Sequence, residues 1–123
     1  MQFNLDSESG KYQITSYKPG QVIINKQIYT RSIIVTAEQL MSDWPPQSFT
    51  DLTVEHLRVL LNLAPQIVIL GTGENQYFLA QELILLFLQQ GIGIEVMNTD
   101  AACRTYNVLM SEGRNVIAAL LLK

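Results

Sequence analysis

The chain has 123 residues, enough for one hydrophobic core but not for two, so a single domain over residues 1–123 is predicted. Charged residues make up only 15% of it, against about 25% in an average globular protein, and this shortage predicts that a partner covers part of an apolar surface. The formal net charge is −3 and the eight lysines and arginines are scattered singly, which excludes the dense basic face that nucleic-acid binding requires.

Residues 1–10 are polar and acidic, without the basic and apolar stretches of a signal peptide or the arginines of a mitochondrial transit peptide. The longest unbroken apolar run, residues 116–122, has seven residues, whereas a membrane-spanning helix needs about 20. The single cysteine excludes an internal disulfide and fits a reducing compartment. We therefore expect no integral membrane segment and a cytoplasmic location.

The first half of the chain is predicted to be a meander of short strands. Residues 11–36 are rich in β-branched and aromatic residues, and turn-forming residues interrupt them at positions 19–20 and 25–26. Apolar and polar residues alternate around Tyr12 and Ile14, as in a half-buried strand. Further strands of the same meander are predicted at residues 22–24, 28–29 and 33–35.

Residues 42–49 form a connection between the two halves of the chain. Pro45 and Pro46 exclude regular structure there, because successive prolines remove two main-chain donors and restrict the residues before them. The connection also carries Trp44 and Phe49, whose rings are predicted to cover an edge of the core rather than to bind a ligand.

The second half alternates helices with strands that are buried on both faces. Thr53 is predicted to cap a first helix that ends before Pro65, and Thr99 or Asp100 to cap a third helix that Gly113 closes in the left-handed conformation. Strands are predicted at residues 67–70, 94–97 and 116–122, and a second helix at about 76–90. Helical crossovers between successive strands imply a largely parallel sheet.

The turn "LGTGENQYF" leaves the first of these strands, where glycine loops bind phosphates in other proteins. It lacks the third glycine of the dinucleotide fingerprint, with Gln76 in its place, and it lacks the P-loop lysine, so no cofactor is predicted. The structural interpretation, which involves no ligand, is that Gly71 and Gly73 make a tight strand-to-helix turn.

A ligand crevice is the alternative interpretation of this edge. If the strands are parallel, the helices starting near Gly73 and Thr99 begin at the same edge, and their free N–H groups line one crevice. The candidate binding residues for a carboxylate or phosphate are Gly71, Thr72, Gly73, Thr99 and Arg104. The competing structural roles are that Thr99 only caps its helix and that Arg104 pairs with Asp100, four residues earlier.

Cys103 lies about one turn into the third helix, where the helix dipole and Arg104 lower the pKa of a thiol. A nucleophilic thiol also needs a base, and the one histidine, His56, is predicted in the first turn of another helix in a capping or exposed role. Ala101 and Ala102 indicate close packing around Cys103 instead. One cysteine and one histidine without paired spacing do not form a zinc site, so no catalytic residue and no metal ligand are predicted.

The second helix contains the run "LILLFL", which makes its second half apolar around the whole circumference. Such a helix is either sandwiched within the domain or docked on a partner protein or a second copy of the chain. We name Leu85, Leu86 and Leu88 as interface candidates.

Three motifs together resemble a known family. They are "SIIVT" before the Trp-Pro connection, "LGTGENQYF" at residues 70–78, and "GIGIEVMNTDAACRTYNVLMSEGRNVIAALL" at residues 91–121. The chain is similar to the small Mth-type domain found in mitochondrial complex I assembly factors, in adipogenesis-associated Mth-domain-containing protein and in uncharacterised bacterial proteins. The resemblance implies a three-layer α/β fold, with a mixed, mostly parallel central sheet and helices, plus an N-terminal antiparallel β-layer.

The family has no established catalytic residues, and it implies an assembly or scaffold role through protein contacts. The first hypothesis is therefore a non-enzymatic interaction protein that assists assembly of a respiratory-chain or other membrane-associated complex. The alternative is a protein or enzyme that binds an anionic metabolite in the crevice at the two helix N-termini.

Overall fold

The computed structural model describes residues 11–123, so the segment 1–10, for which no leader peptide is predicted, lies outside the described residues. Three helices are present in this part: α1 (Val54–Asn62), α2 (Gln81–Leu88) and α3 (Thr99–Ser111). The strands are β1 (Ile14–Lys18), β2 (Gln21–Ile24), β3 (Gln27–Tyr29), β4 (Ile33–Val35), β5 (Leu40–Met41), β6 (Ile67–Thr72), β7 (Gly93–Met97) and β8 (Val116–Leu121). Within residues 11–123, no helix combines the length and the apolar character needed to cross a bilayer.

The central sheet has five strands in the order β5-β4-β8-β6-β7. Strand β6 pairs in parallel with β7 on one side and with β8 on the other, which confirms the predicted crossovers. Strand β4 is antiparallel to β8, so the sheet is mixed. Every residue of β8 is buried, as expected of a strand covered on both faces.

A separate three-stranded antiparallel sheet, β1-β2-β3, precedes the central sheet. Its second turn passes through Asn25 and Lys26, which both have positive φ, the conformation that tight hairpins require. The prediction that residues 33–35 continue this meander is wrong, because β4 leaves it and pairs with β8 in the central sheet. All three side chains of β4 are buried, on alternate faces, and only an inner position in the central sheet covers both faces.

Two hydrophobic cores lie on opposite faces of the central sheet. On one face, α3 and the three-stranded sheet pack against alternate residues of β8 such as Ala118 and Leu120. On the other face, α1 and α2 pack together with Trp44 against the intervening residues such as Ile117 and Ala119. The resulting three-layer α/β fold with an N-terminal antiparallel layer is the one that the family resemblance implies.

The connection before α1 behaves as predicted. Trp44 is buried, and its Nε1–H donates to the carbonyl oxygen of His56 at 3.3 Å. Thr53 is the N-cap residue of α1, and its N–H donates to Nδ1 of His56 at 3.1 Å. The one histidine of the chain is therefore part of a helix cap.

Helix α2 begins at Gln81, not at about residue 76 as predicted. The segment that precedes it, residues 74–80, has no regular structure. The ring of Tyr77 stacks on Phe49 with centroids 4.9 Å apart, and Leu79 is buried in the core. These two tertiary contacts hold the segment in a non-helical path, and they override a local sequence that contains no proline.

The predicted cap of α3 is also corrected. Asn98 is the N-cap residue, and its side-chain oxygen accepts the N–H of Ala101 at 2.9 Å. Thr99 does not cap the helix because its hydroxyl donates to a carbonyl in β8. At the other end, Gly113 has a φ of 82° and its N–H donates to Met110, which confirms the left-handed cap.

Helix α3 holds the antiparallel layer through two side chains near its middle. The side-chain amide of Asn107 donates to the carbonyl oxygen of Ile14 at 2.6 Å, and its oxygen accepts the N–H of Ile14 at 3.0 Å. The hydroxyl of Tyr106 donates to the carbonyl oxygen of Tyr12 at 2.8 Å. Asn107 therefore pairs with the first residue of β1 as another strand would.

The Asn107→Ala variant is expected to lower the free energy of unfolding by about 2 kcal/mol, because both main-chain groups of Ile14 lose their partner. Urea denaturation followed by circular dichroism measures the change. Val108→Ala is the matched control, since Val108 is the next residue on the helix and is exposed, and it should change stability by less than about 0.5 kcal/mol. Equal effects of the two variants would show that Asn107 does not hold β1.

Candidate functional site

The predicted crevice lies at the carboxyl end of β6. The crossover from β6 to β7 places α2 on one face of the central sheet, and the crossover from β7 to β8 places α3 on the other. In open α/β sheets, ligands bind at such a reversal of direction. The residues at this position therefore decide whether a ligand can enter.

The side chain of Thr99 occupies this position. Its hydroxyl donates to the carbonyl oxygen of Leu121 at 2.5 Å and accepts the N–H of Gly73 at 2.8 Å. The N–H of Thr99 in turn donates to the carbonyl oxygen of Gly73 at 2.9 Å. Thr99 is fully buried, so its polar groups are all used to join the ends of β6 and β8 to the start of α3.

The two glycines permit this close approach. A Cβ atom at Gly71 would lie 2.8 Å from Oγ1 of Thr99 and 3.1 Å from Cβ of Ala102. Gly73 has a φ of 97°, and a Cβ atom there would overlap the main-chain carbonyl of Lys123. Both positions therefore require glycine for packing and chain direction.

The other two candidate ligand residues are also engaged within the chain. Thr72 is buried, and its hydroxyl donates to the carbonyl oxygen of Asn75 at 2.6 Å. On the exposed face of α3, Nη1 of Arg104 lies 2.7 Å from Oδ2 of Asp100, in the i, i+4 pairing named above as the alternative. The structure therefore does not bring Arg104 together with the two threonines around an open space.

The prediction that a helix starts near Gly73 is wrong. Helix α2 begins eight residues after Gly73, whereas α3 begins two residues after the end of β7. The first free N–H groups of α3 are partly satisfied, because Asn98 accepts the N–H of Ala101. The sequence could not reveal this, since the path of residues 74–80 depends on contacts with Phe49 and the core.

A shallow cleft of about 360 Å³ lies beside the filled crevice. Its lining combines the β1–β2 turn with the end of β6 and the start of α3: Tyr17, Lys18, Pro19, Gly73, Glu74, Asn98 and Asp100. Burial raises the pKa of Tyr17, and the carboxylates of Glu74 and Asp100 raise it further, so the hydroxyl stays protonated at neutral pH. The lining thus carries one ammonium group and two carboxylates, of which that of Asp100 is paired with Arg104.

Of the five predicted ligand residues, only Gly73 lines this cleft. The β1–β2 turn, which supplies Tyr17, Lys18 and Pro19, was predicted as a turn, but its place beside α3 was not. It is held there by Gly20, whose N–H donates to the carbonyl oxygen of Leu122 at 2.7 Å. A contact between residues so far apart in the chain leaves no local signal.

Cys103 is buried in the core beneath the antiparallel layer. Burial, with a smaller contribution from Asp100, raises the pKa of its thiol from 9.0 to about 12, and Arg104 lowers the pKa without reversing the shift. His56, the candidate base, lies in α1 on the other side of the central sheet. The thiol is therefore protonated at neutral pH and has no nearby histidine to activate it.

The described part of the chain contains no group of three or more His, Cys, Asp or Glu side chains that could hold a metal ion.

The outer face of α2 and the segment before it carry a concentration of exposed apolar side chains. Phe78 is 87% exposed, Tyr77 42%, Leu85 41% and Leu88 52%; we call these four residues the α2 surface. Leu85 and Leu88 are three residues apart and share one side of the helix. Leu86, the third interface candidate, is half-buried against the core. The two aromatic residues were missed because they were assigned to the interior of a longer helix.

The remaining large apolar residues that are exposed lie one to an element, as Ile28 in β3, Val59 in α1 and Val108 in α3. Isolated residues of this kind are common on protein surfaces, whereas four of the seven exposed large apolar residues among residues 11–123 fall within residues 77–88.

The chain belongs to the family described as "Protein of unknown function (DUF498/DUF598)", whose model matches residues 14–121. It is 36% identical to a crystal structure from Bordetella parapertussis with a TM-score of 0.86, covering 93% of this chain and 98% of that one. It is 31% identical to a Bordetella pertussis solution structure described as a Mth938-like domain, with a TM-score of 0.83, covering 99% and 92%. These comparisons confirm the family that the sequence motifs indicate.

Two relatives carry names that bear on function. The "13 kDa major membrane protein" of Francisella tularensis is 33% identical over 101 residues, 81% of this chain and 82% of that protein. The "NADH dehydrogenase [ubiquinone] 1 alpha subcomplex assembly factor 3" of Xenopus tropicalis is 32% identical over 120 residues, 95% of this chain. The alignment spans 65% of the length of that assembly factor.

The Thr99→Val variant is expected to lower the free energy of unfolding by about 2–4 kcal/mol, because the N–H of Gly73 and the carbonyl of Leu121 are left buried without a partner. Thermal and urea denaturation measure the loss. Thr99→Ser keeps the hydroxyl and should restore most of the stability. If the serine variant is as unstable as the valine variant, the methyl group matters and the hydrogen bonds do not.

The thiol of Cys103 should react with iodoacetamide at neutral pH far more slowly in the folded protein than in urea, since thiolate is the reactive form. Because its folded pKa is raised, the unfolded thiol loses its proton first, and stability should fall as pH rises from about 9 towards 12, by at most about 1.4 kcal/mol per pH unit. Cys103→Ala should lack this part of the pH dependence. Rapid stoichiometric labelling of the native protein would contradict the assignment.

Proposed function

We propose that this protein acts by binding another protein, and that it assists assembly of a respiratory-chain or other membrane-associated complex without catalysing a reaction. The observation that carries the proposal is the α2 surface. Four large apolar side chains, which include the most exposed aromatic ring of the described residues, lie within one short stretch of the chain.

Large apolar side chains that stay exposed to water are energetically unfavourable. Burying a leucine or phenylalanine side chain contributes about 1.5–3 kcal/mol, so a domain gains from keeping them inside unless a partner covers them. Phe78 has no cover in the domain, while its neighbours Tyr77 and Leu79 anchor the chain on either side. An exposed aromatic residue on an anchored segment is typical of the few side chains that dominate a protein–protein interface.

The names of two relatives support the proposed assembly role. Assembly factor 3 of Xenopus tropicalis and of Danio rerio are 32% and 36% identical to this chain, and both are named for assembly of a complex rather than for a reaction. The alignments extend over 95% and 88% of this chain, which is long enough to span residues 77–88. The low content of charged residues agrees with a partly covered surface.

The alternative, an anionic-metabolite binder or enzyme, has weaker support. The position where an α/β sheet binds its ligand holds the side chain of Thr99, and the open cleft beside it has two carboxylates in its lining. The cytoplasmic location and the formation of a homo-oligomer stay predictions, and the Francisella relative is named as a membrane protein.

Replacing Phe78, Leu85 or Leu88 singly by glutamate should abolish retention of a specific partner while the circular dichroism spectrum and Tm stay unchanged. A charge placed in the centre of an apolar interface opposes binding by about 2 kcal/mol or more, which weakens it at least about thirty-fold. Tagged protein, mild crosslinking in a lysate and quantitative mass spectrometry measure the retained partner.

Val108→Glu is the matched control, because Val108 is 55% exposed, much like Leu88, but lies on α3. Its partner retention should equal that of the unmodified protein. The proposal fails if the control loses the partner equally, or if every variant that loses it is also unfolded.

A further inference from the structure

The stretch of chain that carries the α2 surface contains acidic residues but no basic ones. Between Arg58 and Arg104 the chain contains no lysine, arginine or histidine, and it contains four acids, Glu74, Glu82, Glu95 and Asp100. This stretch forms β6, the segment 74–80, α2 and β7. The elements that carry the α2 surface therefore have no cation of their own.

Glu82 lies on α2 itself, and Asp51 lies on the short 3-10 helix Phe49–Asp51, which contacts the segment before α2 through Phe49. Glu82 is exposed and lies three residues before Leu85 and six before Leu88, on the same outer side of the helix. Asp51 belongs to the same helical turn as Phe49, on which Tyr77 stacks. The cation of the neighbouring helix, Arg58, lies 3.6 Å from the carboxylate of Glu55. An apolar surface with an acidic rim attracts an apolar surface with a basic rim.

We propose that the segment docked on the α2 surface is an amphipathic helix of a partner protein, whose apolar stripe is flanked by lysines and arginines. The inference rests on the proposed function and names the chemistry of the partner. A helix fits because the main-chain groups of α2 are bonded within α2 itself. A partner strand laid on this face would leave its own N–H and C=O groups buried and unpaired, whereas a helix satisfies them internally.

The same charges oppose two other occupants. In a two-fold symmetric dimer the α2 surfaces of the two copies would face each other. Glu82 of one copy would then approach the acidic residues of the other copy. An anionic membrane surface attracts basic segments and repels an acidic rim. The partner protein with a basic helix is the occupant that these charges favour.

The test uses two synthetic helical peptides that share one leucine stripe and differ only in flanking residues, lysine in one and glutamate in the other. Fluorescence anisotropy with the full chain should show the lysine peptide binding about ten-fold or more tightly, and losing this advantage at high salt. Leu88→Glu should abolish binding. Glu82→Lys should weaken binding of the lysine peptide and strengthen binding of the glutamate peptide.

Glu112→Lys is the control for Glu82→Lys, since it makes the same change of charge at an exposed acid beyond the end of α3. It should leave both affinities unchanged. Equal binding of the two peptides, or no binding of either, would overturn the inference. So would a dimer in sedimentation equilibrium that Leu88→Glu dissociates, or binding to anionic phosphatidylserine vesicles that depends on Leu88.

The two proposals fail separately. If neither peptide binds but retention of a partner from lysate still depends on Leu88, the basic helix is wrong and the interaction function stands. If retention also does not depend on Leu88, both are wrong.

Discussion

The hydroxyl group of Thr99 joins three parts of the chain that are far apart in sequence. It accepts the N–H of Gly73 at the end of β6 and donates to Leu121 at the end of β8, while it sits in the first turn of α3. Gly71 allows the helix to come this close. As a result, the position where an α/β sheet binds small molecules is occupied by the protein's own side chain and main chain.

With its start fixed by Thr99, α3 determines where the antiparallel layer lies. Ala102 and Cys103 pack in the core, and Tyr106 and Asn107 bond to the beginning of β1. The stretch "TDAACRTYN" is therefore explained by packing and hydrogen bonding, with Cys103 as a buried protonated thiol. The residues of this stretch join helix α3 to both sheets.

Helix α2 stands in contrast, because it packs on the edge of the central sheet and keeps one side exposed. Phe87 is buried, Leu83 and Leu86 are partly buried, and Leu85 and Leu88 face outward. Helix α2 is therefore buried on one side and exposed on the other, and the interface at Leu85 and Leu88 stays a prediction. Helix α3 joins the two sheets, and the surface proposed for partner binding is formed by α2.

Features that depend on neighbouring residues could be predicted from the amino-acid pattern. These include the buried strands of the second half, the Gly113 cap, the Asp100–Arg104 pair and the family membership. Such features follow from periodicity and from short-range hydrogen bonds, which a local pattern records.

Three features could not be predicted from local patterns: β4 joins the central sheet, α2 begins at Gln81, and the Thr99 hydroxyl faces inward. Each outcome depends on a partner distant in sequence: β8 for the strand, Phe49 for the segment before α2, and Leu121 for the hydroxyl. A local pattern shows that a residue can be buried or can donate a hydrogen bond. The fold determines which distant group it meets, because that choice minimises unpaired polar groups and uncovered apolar surface in the whole domain.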